Sequence, residues 1–283
     1  MTLLTPENTV LVTDSTADPN DRWPDKGITV VPLTVLWGDE QFDDGVDLSQ
    51  PQFFEKLVDN PVLPTSSQPS AERFRGVYQE LTQTYEHVIS VHISGHLSGT
   101  IESATSAAAD FPQVHVFDSK NTCVGLGIQI ERIWHRIEGG VELEDLLGYV
   151  QRQNENAAMV ILAGTLEYLR RGGRIGRAQE MVGGVLGIRP VIDVCDGVLC
   201  PWSKVRGERR AWEAMGRYVA EYHPGEKIYV GFCHTAFPEG LERLREAVTA
   251  ARPDAEIVFT GWAGAVVGVH IGPGTVAIGL SAE

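Results

Sequence analysis

The segment HVISVHISGHLSGT, residues 87–100, changes abruptly from apolar residues to glycine, serine and threonine. Its first part, residues 87–94, is rich in β-branched residues and predicts a buried strand. From about residue 98 the chain is rich in alanine and predicts a helix to about residue 109. A strand that passes directly into a helix is the unit from which helix-covered parallel sheets are built.

The same alternation continues on both sides of this segment. Further strands are predicted at 9–16, 29–36 and 114–119, and helices from 49, over 71–85 and over 121–138. The first half therefore predicts an α/β domain with a mostly parallel sheet flanked by helices. We place this N-terminal domain at residues 1–160.

The second half, residues 161–283, has a different pattern and predicts an α+β domain with a mixed or antiparallel sheet. Asp196-Gly197 is a hairpin signal in the middle of the apolar segment 190–205. Helices are predicted over 166–188 (broken by glycines), 208–222 and 238–251, and strands over 157–164, 227–234, 256–262 and 266–281.

Composition excludes several classes of protein. The 283 residues carry a formal net charge of -15, which argues against a general nucleic-acid-binding protein. No apolar run approaches the roughly 20 residues of a membrane span, and residues 1–10 lack the features of a signal peptide. The chain contains four scattered cysteines, Cys123, Cys195, Cys200 and Cys233. Because they form no CxxC pair, we expect reduced thiols in a soluble, cytoplasmic protein, with a Cys195–Cys200 disulfide as the alternative.

The glycines and hydroxyls of HISGHLSGT predict a small-anion site. Ligands of open α/β sheets bind beyond the carboxyl ends of the strands, where a following helix presents free N–H groups. Ser94 supplies a hydroxyl, and Gly95 lets a ligand approach the backbone. The alternative is a plain helix start, in which Ser98 and Thr100 cap the helix and the glycines form a turn.

Two more hydroxyl-rich segments belong to the same prediction. TDSTAD (13–18) contributes Asp14, Ser15 and Thr16, and PTSSQPS (64–70) contributes Thr65 and Ser66. Strand ends of a parallel sheet meet at one edge, so these side chains are expected to converge there. An Asx-turn would account for Asp14 equally well.

His270 in GVHIGPG (268–274) is a candidate hydrogen-bond donor to the same anion, and Gly272 would allow a turn beside it. A buried histidine at a strand end is the alternative. The sequence contains no GxSxG, Walker A or HExxH motif, and its histidines are dispersed. An anion pocket without catalytic residues, metal or cofactor favours a binding or carrier protein.

Two basic segments stand out in this acidic chain. RRGGRIGR (170–177) contains Arg170, Arg171 and Arg174, and KVRGERR (204–210) contains Arg206 and Arg209. They favour contact with an acidic partner or a phosphate group. A solvated helix end is the alternative.

Taken together, the motifs resemble the DegV family, the fatty-acid-binding proteins that act as the B subunit of bacterial fatty acid kinase. The resemblance runs in order along essentially the whole chain, through VTDSTAD (12–18), VPLTV (31–35), LPTSSQPS (63–70), HISGHLSGT (92–100), VFDSK (116–120), GTLEYLRRGGRI (164–175), the IRPVI–DG–K–RG series (188–207) and GVHIGPG (268–274).

The resemblance implies a two-domain protein that holds one long-chain fatty acid, such as palmitate or oleate, in a tunnel between the domains. Carried over by motif, Ser94, the Gly95 N–H, Thr65 or Ser66, and His270 would bind the carboxylate. The acid would be presented to a separate ATP-binding kinase subunit, with the arginines at its contact surface, and this chain would catalyse nothing alone. The family often has two serines where this chain has Ser94-Gly95, so one hydroxyl is missing.

The tunnel walls are less readable, and candidates recur at helical spacing in two segments. They are Val124, Ile128, Met181, Val185 and Leu186. For each of them, ordinary core packing is the favoured alternative. Two other functions stay open: a serine hydrolase or thioesterase that uses Ser94 and His270, and a binder of a small sugar or triose phosphate.

Overall fold

A computed structural model describes residues 2–18, 23, 26–182 and 188–283. The strands of the first part are β1 (Leu3–Leu4), β2 (Thr9–Asp14), β3 (Thr29–Val31), β4 (Thr34–Trp37), β5 (Glu40–Asp43), β6 (Thr65–Ser67), β7 (His87–His92), β8 (Val114–Asp118) and β9 (Val141–Glu142). The helices of this part are α1 (Gln50–Asp59), α2 (Ala71–Leu81), α3 (Thr100–Ala108), α4 (Cys123–Glu138) and α5 (Leu143–Asn156).

The second part begins with β10. Its strands are β10 (Ala157–Leu162), β11 (Ile188–Cys195), β12 (Val198–Arg206), β13 (Ile228–Thr235), β14 (Glu256–Trp262) and β15 (Thr275–Ala282). Its helices are α6 (Glu167–Arg171), α7 (Glu208–Glu221), α8 (Pro238–Ala251) and α9 (Ala265–Ile271), and a 3₁₀ segment spans Gly176–Met181.

Two main sheets confirm the predicted fold class. The four-stranded sheet β3-β2-β7-β8 is parallel throughout, and helices cover it. The six-stranded sheet β12-β11-β10-β15-β13-β14 is mixed, because β13 and β14 pair in parallel and the other neighbours are antiparallel. The predicted hairpin at Asp196-Gly197 joins β11 and β12, with both turn residues at positive φ.

Helix α4 packs between the two sheets, and this explains its apolar composition. Val124 and Ile128 join a core with residues of the C-terminal strands, whereas Leu126 and Ile130 join a core with Leu11 and other residues of the parallel sheet. An amphipathic surface helix would show one apolar stripe; α4 is buried on both sides and is apolar on both.

The interpretation of 266–281 as one strand is wrong. Residues Ala265–Ile271 form α9, and the strand begins at Thr275. The valines of this segment favour a strand locally, but two buried carboxylates accept hydrogen bonds from the N–H groups at the start of the helix. Gly264 N donates to Asp18 Oδ1 at 2.8 Å, and Ala265 N donates to Asp44 Oδ1 at 2.8 Å. Tertiary contacts therefore override the local preference.

The segment 29–36 is also not a single strand. Pro32-Leu33 interrupts it, so that β3 belongs to the parallel sheet and β4 to a small antiparallel sheet in the order β5-β4-β6. Neither this small sheet nor α5 is predicted from the sequence pattern. The small sheet matters for function because β6 carries Ser66.

The expectation of four reduced cysteines is wrong for two of them. Cys195 and Cys200 form a disulfide with their Cα atoms 6.1 Å apart, because the tight hairpin brings the ends of β11 and β12 together. Cys123 and Cys233 are free and buried, as expected. Among the described helices, none combines the length and apolar character that a membrane span requires.

Candidate functional site

A cavity of about 330 Å³ lies where the carboxyl ends of the parallel strands face the six-stranded sheet. Its apolar wall contains Leu33, Ile93, Leu97, Met159, Ile161, Leu169, Leu199, Ala263, Val266, Val267, Ile271 and Ala277. Its polar wall contains Thr16, Ser66, Ser67, Gln68, Ser98, Thr122, Arg174, His234, Thr235, His270 and Thr275. A largely apolar wall with a few polar groups is typical of small-molecule sites.

Ser66 and His270 meet in this wall although 204 positions separate them. Ser66 Oγ lies 2.8 Å from His270 Nε2, and the other ring nitrogen, Nδ1, is buried without a hydrogen-bond partner among the described residues. Burial, with a smaller contribution from the Arg174 charge, lowers the pKa of His270 to about 4. The imidazole is therefore neutral near pH 7 and has one N–H to donate.

Arg174 places a positive charge beside this pair. Its guanidinium is fixed by backbone carbonyls, with Nε 3.2 Å from Leu97 O and Nη1 2.8 Å from Gly172 O. Within the described ranges, no carboxylate lies at salt-bridge distance from it. A fixed, unneutralised guanidinium beside a hydroxyl and an imidazole is suited to hold an anion.

A second, outer pocket of about 320 Å³ adjoins the polar end of the cavity. Ser66, Arg174 and His270 line both spaces, and the outer one is completed by Leu63, Pro64, Thr65, Tyr168, Arg171, Gly172 and Val269. Thr65 is exposed and lies in the outer pocket only. The polar triad of Ser66, Arg174 and His270 thus stands between the apolar cavity and the surface.

Ser94 and Gly95 do not line the cavity. The buried hydroxyl of Ser94 donates to Gly197 O at 2.9 Å, in the β11–β12 hairpin, and the Gly95 N–H donates to Asp118 Oδ2 at 3.2 Å. Their contacts hold the loop after β7 in place. The head-group role that the motif implies for these two residues stays a prediction.

Asp14 is buried and organises the same loop. Its Oδ2 accepts from Ile93 N at 3.0 Å and lies 3.0 Å from His92 Nδ1; His92 Nε2 in turn lies 2.7 Å from Ser90 Oγ. This Asp–His–Ser chain is fully buried, so it supports the strand ends and is closed to a substrate. Of its neighbours, Thr16 reaches the cavity wall, and Ser15 Oγ accepts from Leu33 N at 3.1 Å.

Gly272 has a structural reason to be glycine. It ends α9 with a φ of 70°, and a Cβ there would overlap the ring of Tyr168. Gly172 is similar, since a Cβ there would overlap Nδ1 of His270. The two glycines let α6 and the end of α9 approach closely, and this approach places His270 beside Arg174.

Of the candidate tunnel residues, the three that lie within the described ranges do not line the cavity. Val124, Ile128 and Met181 belong to the packed core, and Val185 and Leu186 lie outside the described residues. The apolar wall instead combines strand residues such as Met159, Ile161 and Ala277 with Leu169 of α6 and with residues of α9. Nothing in the local sequence distinguishes a strand side chain that faces a cavity from one that faces solid core.

The predicted hydrolase pair is not formed. Ser94 bonds to a backbone carbonyl and His270 to Ser66, and no hydrogen bond joins Ser94 to His270 in the described part of the chain. Ser98, which lines the cavity, was interpreted as a helix cap. HISGHLSGT contains two serines after the strand, Ser94 and Ser98, so Ser98 was as available as Ser94 for a place in the cavity wall.

The candidate partner arginines differ in surroundings. Arg170 and Arg171 both pair with Glu167, at 2.9 and 2.6 Å, and Arg209 pairs with Glu213 at 2.9 Å. Arg206 is exposed at the end of β12. Arg171 and Arg174 reach the outer pocket, so the first basic segment borders the polar end of the cavity.

Asp18 and Asp44, which hold the start of α9, are buried carboxylates with perturbed protonation. Burial is the largest cause in both, and it raises the pKa of Asp18 to about 7 and that of Asp44 to about 6. Cys123 donates its S–H to Asp18 Oδ2 at 2.7 Å. The helix that presents His270 is therefore anchored by groups that change charge near neutral pH.

We expect Asp18 to make the protein less stable as pH rises from about 4 to about 7. The unfolded chain releases the Asp18 proton near 3.8 and the folded chain near 7, so deprotonation favours unfolding across this window, by roughly 2–4 kcal/mol in total. Above pH 7 the destabilisation by the Asp18 carboxylate is constant.

Urea unfolding of the wild type and of Asp18→Asn at pH 5 and pH 8 measures this destabilisation. The variant should lose less stability than the wild type between the two pH values. Asp44 and His270 are present in both proteins, so the difference between the two pH profiles reports the loss of the Asp18 carboxyl. Parallel pH profiles would contradict the prediction.

Comparisons with known proteins place this architecture among characterised folds. The family model described as "Uncharacterised protein, DegV family" matches residues 8–283. A DegV domain-containing protein of Deinococcus radiodurans is 36% identical over 277 residues, which cover 95% of this chain and 97% of the relative.

Two solved structures superpose over almost the full chain. A DegV family protein from Thermus thermophilus, described as fatty acid binding, is 35% identical with a TM-score of 0.93, and the match covers 98% of this chain and 100% of that one. The fatty acid kinase B3 protein of Streptococcus pneumoniae, loaded with linoleic acid, has a TM-score of 0.84 with the same coverage. At 20% identity the second likeness shows the fold alone.

Proposed function

This chain belongs to the DegV family, and from that premise we propose that it binds one long-chain fatty acid in the described cavity. The single observation that carries the proposal is the arrangement of the cavity: an apolar wall that ends in the polar triad Ser66, Arg174 and His270. A monocarboxylate with a long apolar tail has the complementary arrangement. The fatty-acid binding of the similar Thermus protein supports the assignment.

The head group is assigned to the polar triad. A carboxylate at this end would accept the hydroxyl hydrogen of Ser66 and the N–H of neutral His270, and it would sit near the guanidinium of Arg174. Hydrogen bonds to a charged group are stronger than neutral ones, at about 1.5–3 kcal/mol each. We assign Ser94 a supporting role, since its hydroxyl already bonds to Gly197.

The tail is assigned to the apolar wall. Each buried methylene contributes roughly 0.8 kcal/mol, so a long acyl chain supplies most of the binding free energy. A sugar phosphate has no such chain and would leave Met159, Ile161 and Leu199 facing water. The apolar wall therefore favours a lipid over the small-phosphate alternative.

Native mass spectrometry of the purified protein, followed by lipid analysis of the released material, tests this function. We expect one long-chain fatty acid per chain. Ser66→Ala should reduce occupancy, and Ser94→Ala at equal stability should reduce it less. A wild-type protein that carries no fatty acid and takes up neither added palmitate nor oleate would refute the proposal, and release of a small phosphate would favour the sugar-phosphate alternative.

We further propose that the bound acid is presented to a separate kinase subunit that supplies ATP, and that this chain contributes no catalytic group of its own. The outer pocket beside the head group gives such a partner a route to the carboxylate, and Arg171 and Arg174 line this pocket. Arg170, Arg206 and Arg209 are exposed and are proposed as further positive charges of the contact surface. Opposite charge on the partner would speed association in a salt-dependent manner.

Charge reversal tests the partner surface. We expect Arg206→Glu with Arg209→Glu to slow acyl-phosphate formation with a cognate kinase by about tenfold at low salt, and by less at high salt. Fatty-acid occupancy should not change, because both residues lie outside the cavity. Arg245→Glu on the outer face of α8 is a matched control. Unchanged kinase activity in the double variant would exclude this part of the surface.

A further inference from the structure

Three side chains from distant parts of the chain meet beside the cavity. Asp18 follows the short turn after β2, Cys123 is the first residue of α4, and Cys233 lies in β13. Cys123 Sγ is 2.7 Å from Asp18 Oδ2 and 3.4 Å from Cys233 Sγ, and the three potential ligand atoms all lie within 4.8 Å of one another. All three side chains are buried, and the two cysteines line the cavity.

The backbone is bent to bring two of these groups together. Asp18 has a φ of 53° and Cys123 a φ of 50°, a region that residues other than glycine rarely adopt. The conformation at Cys123 is unusual for the first residue of a helix. Strained residues persist where the surrounding structure holds them, and they cluster at functional sites.

The carboxylate of Asp18 has no cationic partner within the described ranges. Gly264 N donates to Oδ1, and the thiol of Cys123 donates to Oδ2. A thiol is a weak hydrogen-bond donor. Hydrogen bonds alone therefore leave a buried carboxylate poorly compensated, whereas a cation between the carboxylate and two thiolates would satisfy all three groups.

From this geometry we propose that Asp18, Cys123 and Cys233 bind one thiophilic divalent cation of the Zn²⁺ type. Two sulfur ligands and one carboxylate oxygen match the ligand preferences of zinc and would supply three of the four ligands of a tetrahedral site. The cavity beside the cysteines leaves the fourth position to water and gives the ion a path of entry. Small side-chain rotations would widen the hydrogen-bonded triangle to coordination distances.

Binding is written as Zn²⁺ plus two Cys thiols giving a zinc dithiolate and two H⁺. The two S–H bonds break, two Zn–S bonds form, and the protons leave to solvent; Asp18 adds a third proton where it is protonated. No electron is transferred. Because protons are released, the affinity should rise with pH.

Co²⁺ titration of the delipidated wild-type protein, with its Cys195–Cys200 disulfide intact, tests the site. We expect a thiolate-to-cobalt charge-transfer band and the visible bands of tetrahedral Co²⁺, which saturate at one ion per chain and vanish when Zn²⁺ is added. Calorimetry in two buffers of different ionisation enthalpy should show two or three protons released per ion. Absence of the charge-transfer band in the wild type would overturn the proposal, whatever the variants do.

Variants then locate the ion. Cys123→Ser and Cys233→Ser should each remove or strongly weaken the charge-transfer band, and Asp18→Asn should weaken Zn²⁺ binding by about tenfold or more. The matched control is Cys195→Ser with Cys200→Ser, which should leave the spectrum unchanged. A band that survives in the folded Cys123→Ser, Cys233→Ser double variant would place the metal elsewhere and overturn the assignment. Since no lipid is present, these outcomes are independent of fatty-acid binding.

Discussion

Replacement of Ala277 by phenylalanine should weaken long-chain fatty-acid binding by about 100-fold or more. Ala277 lies on β15 and lines the apolar wall of the cavity. A phenyl ring would take the space of roughly four methylene groups, and their loss corresponds to about 3 kcal/mol at 0.8 kcal/mol each. Calorimetric titration of delipidated protein with palmitate measures the change.

The effect should depend on chain length, which separates a blocked cavity from a damaged fold. A short-chain acid that does not reach the ring should bind the variant and the wild type equally. Ala250→Phe, at an exposed position of α8, is the control for added aromatic surface. If Ala277→Phe keeps wild-type stability and wild-type affinity for palmitate, the acyl chain does not occupy this cavity.

Replacement of His270 by alanine should weaken fatty-acid binding by roughly 10- to 100-fold, because one hydrogen bond to a charged carboxylate is lost. A long-chain alcohol lacks the charge, so its affinity should change less. Near neutral pH the wild-type affinity should show no titration of His270, whose pKa of about 4 lies well below that range. Equal losses for the acid and the alcohol would mean that His270 has only a packing role.

Gly172→Ala provides a second variant for the same prediction without removing the imidazole. Its methyl group would overlap Nδ1 of His270 and push the ring away from Ser66. We expect a similar loss of preference for the acid over the alcohol. Gly76→Ala, on α2 with open space around its Cα, is the matched control.

The parallel half of the fold could be predicted because its signals are local. Each strand of the β3-β2-β7-β8 sheet is a short β-branched run, and most are followed by a segment with helical spacing. The hairpin at Asp196-Gly197 follows from the positive φ that both turn positions require. The ordered motifs likewise sufficed to identify the family.

Helix α9 could not be predicted, because its cause is distant in sequence. The valines of 266–269 favour a strand, and the carboxylates that stabilise the helix start come from positions 18 and 44. The same holds for the candidate site. Ser66 and His270 were both suspected, but their contact depends on the small β5-β4-β6 sheet and on the close approach permitted by Gly172.

The sequence by itself determined the strands of the parallel sheet, the hairpin at Asp196-Gly197, the family, and the hydroxyl-rich strand ends, because each depends on neighbouring residues. The tertiary structure decided which hydroxyls face the cavity. Ser94 turns to Gly197 whereas Ser66 turns to His270. The suspected Val124 and Ile128 pack in the core, and the apolar wall is formed by other strands and by helices α6 and α9. It also decided that Asp18, Cys123 and Cys233 share one buried cluster. The physical reason is that the direction of a side chain depends on packing between elements far apart in the chain, and the local sequence does not encode that packing.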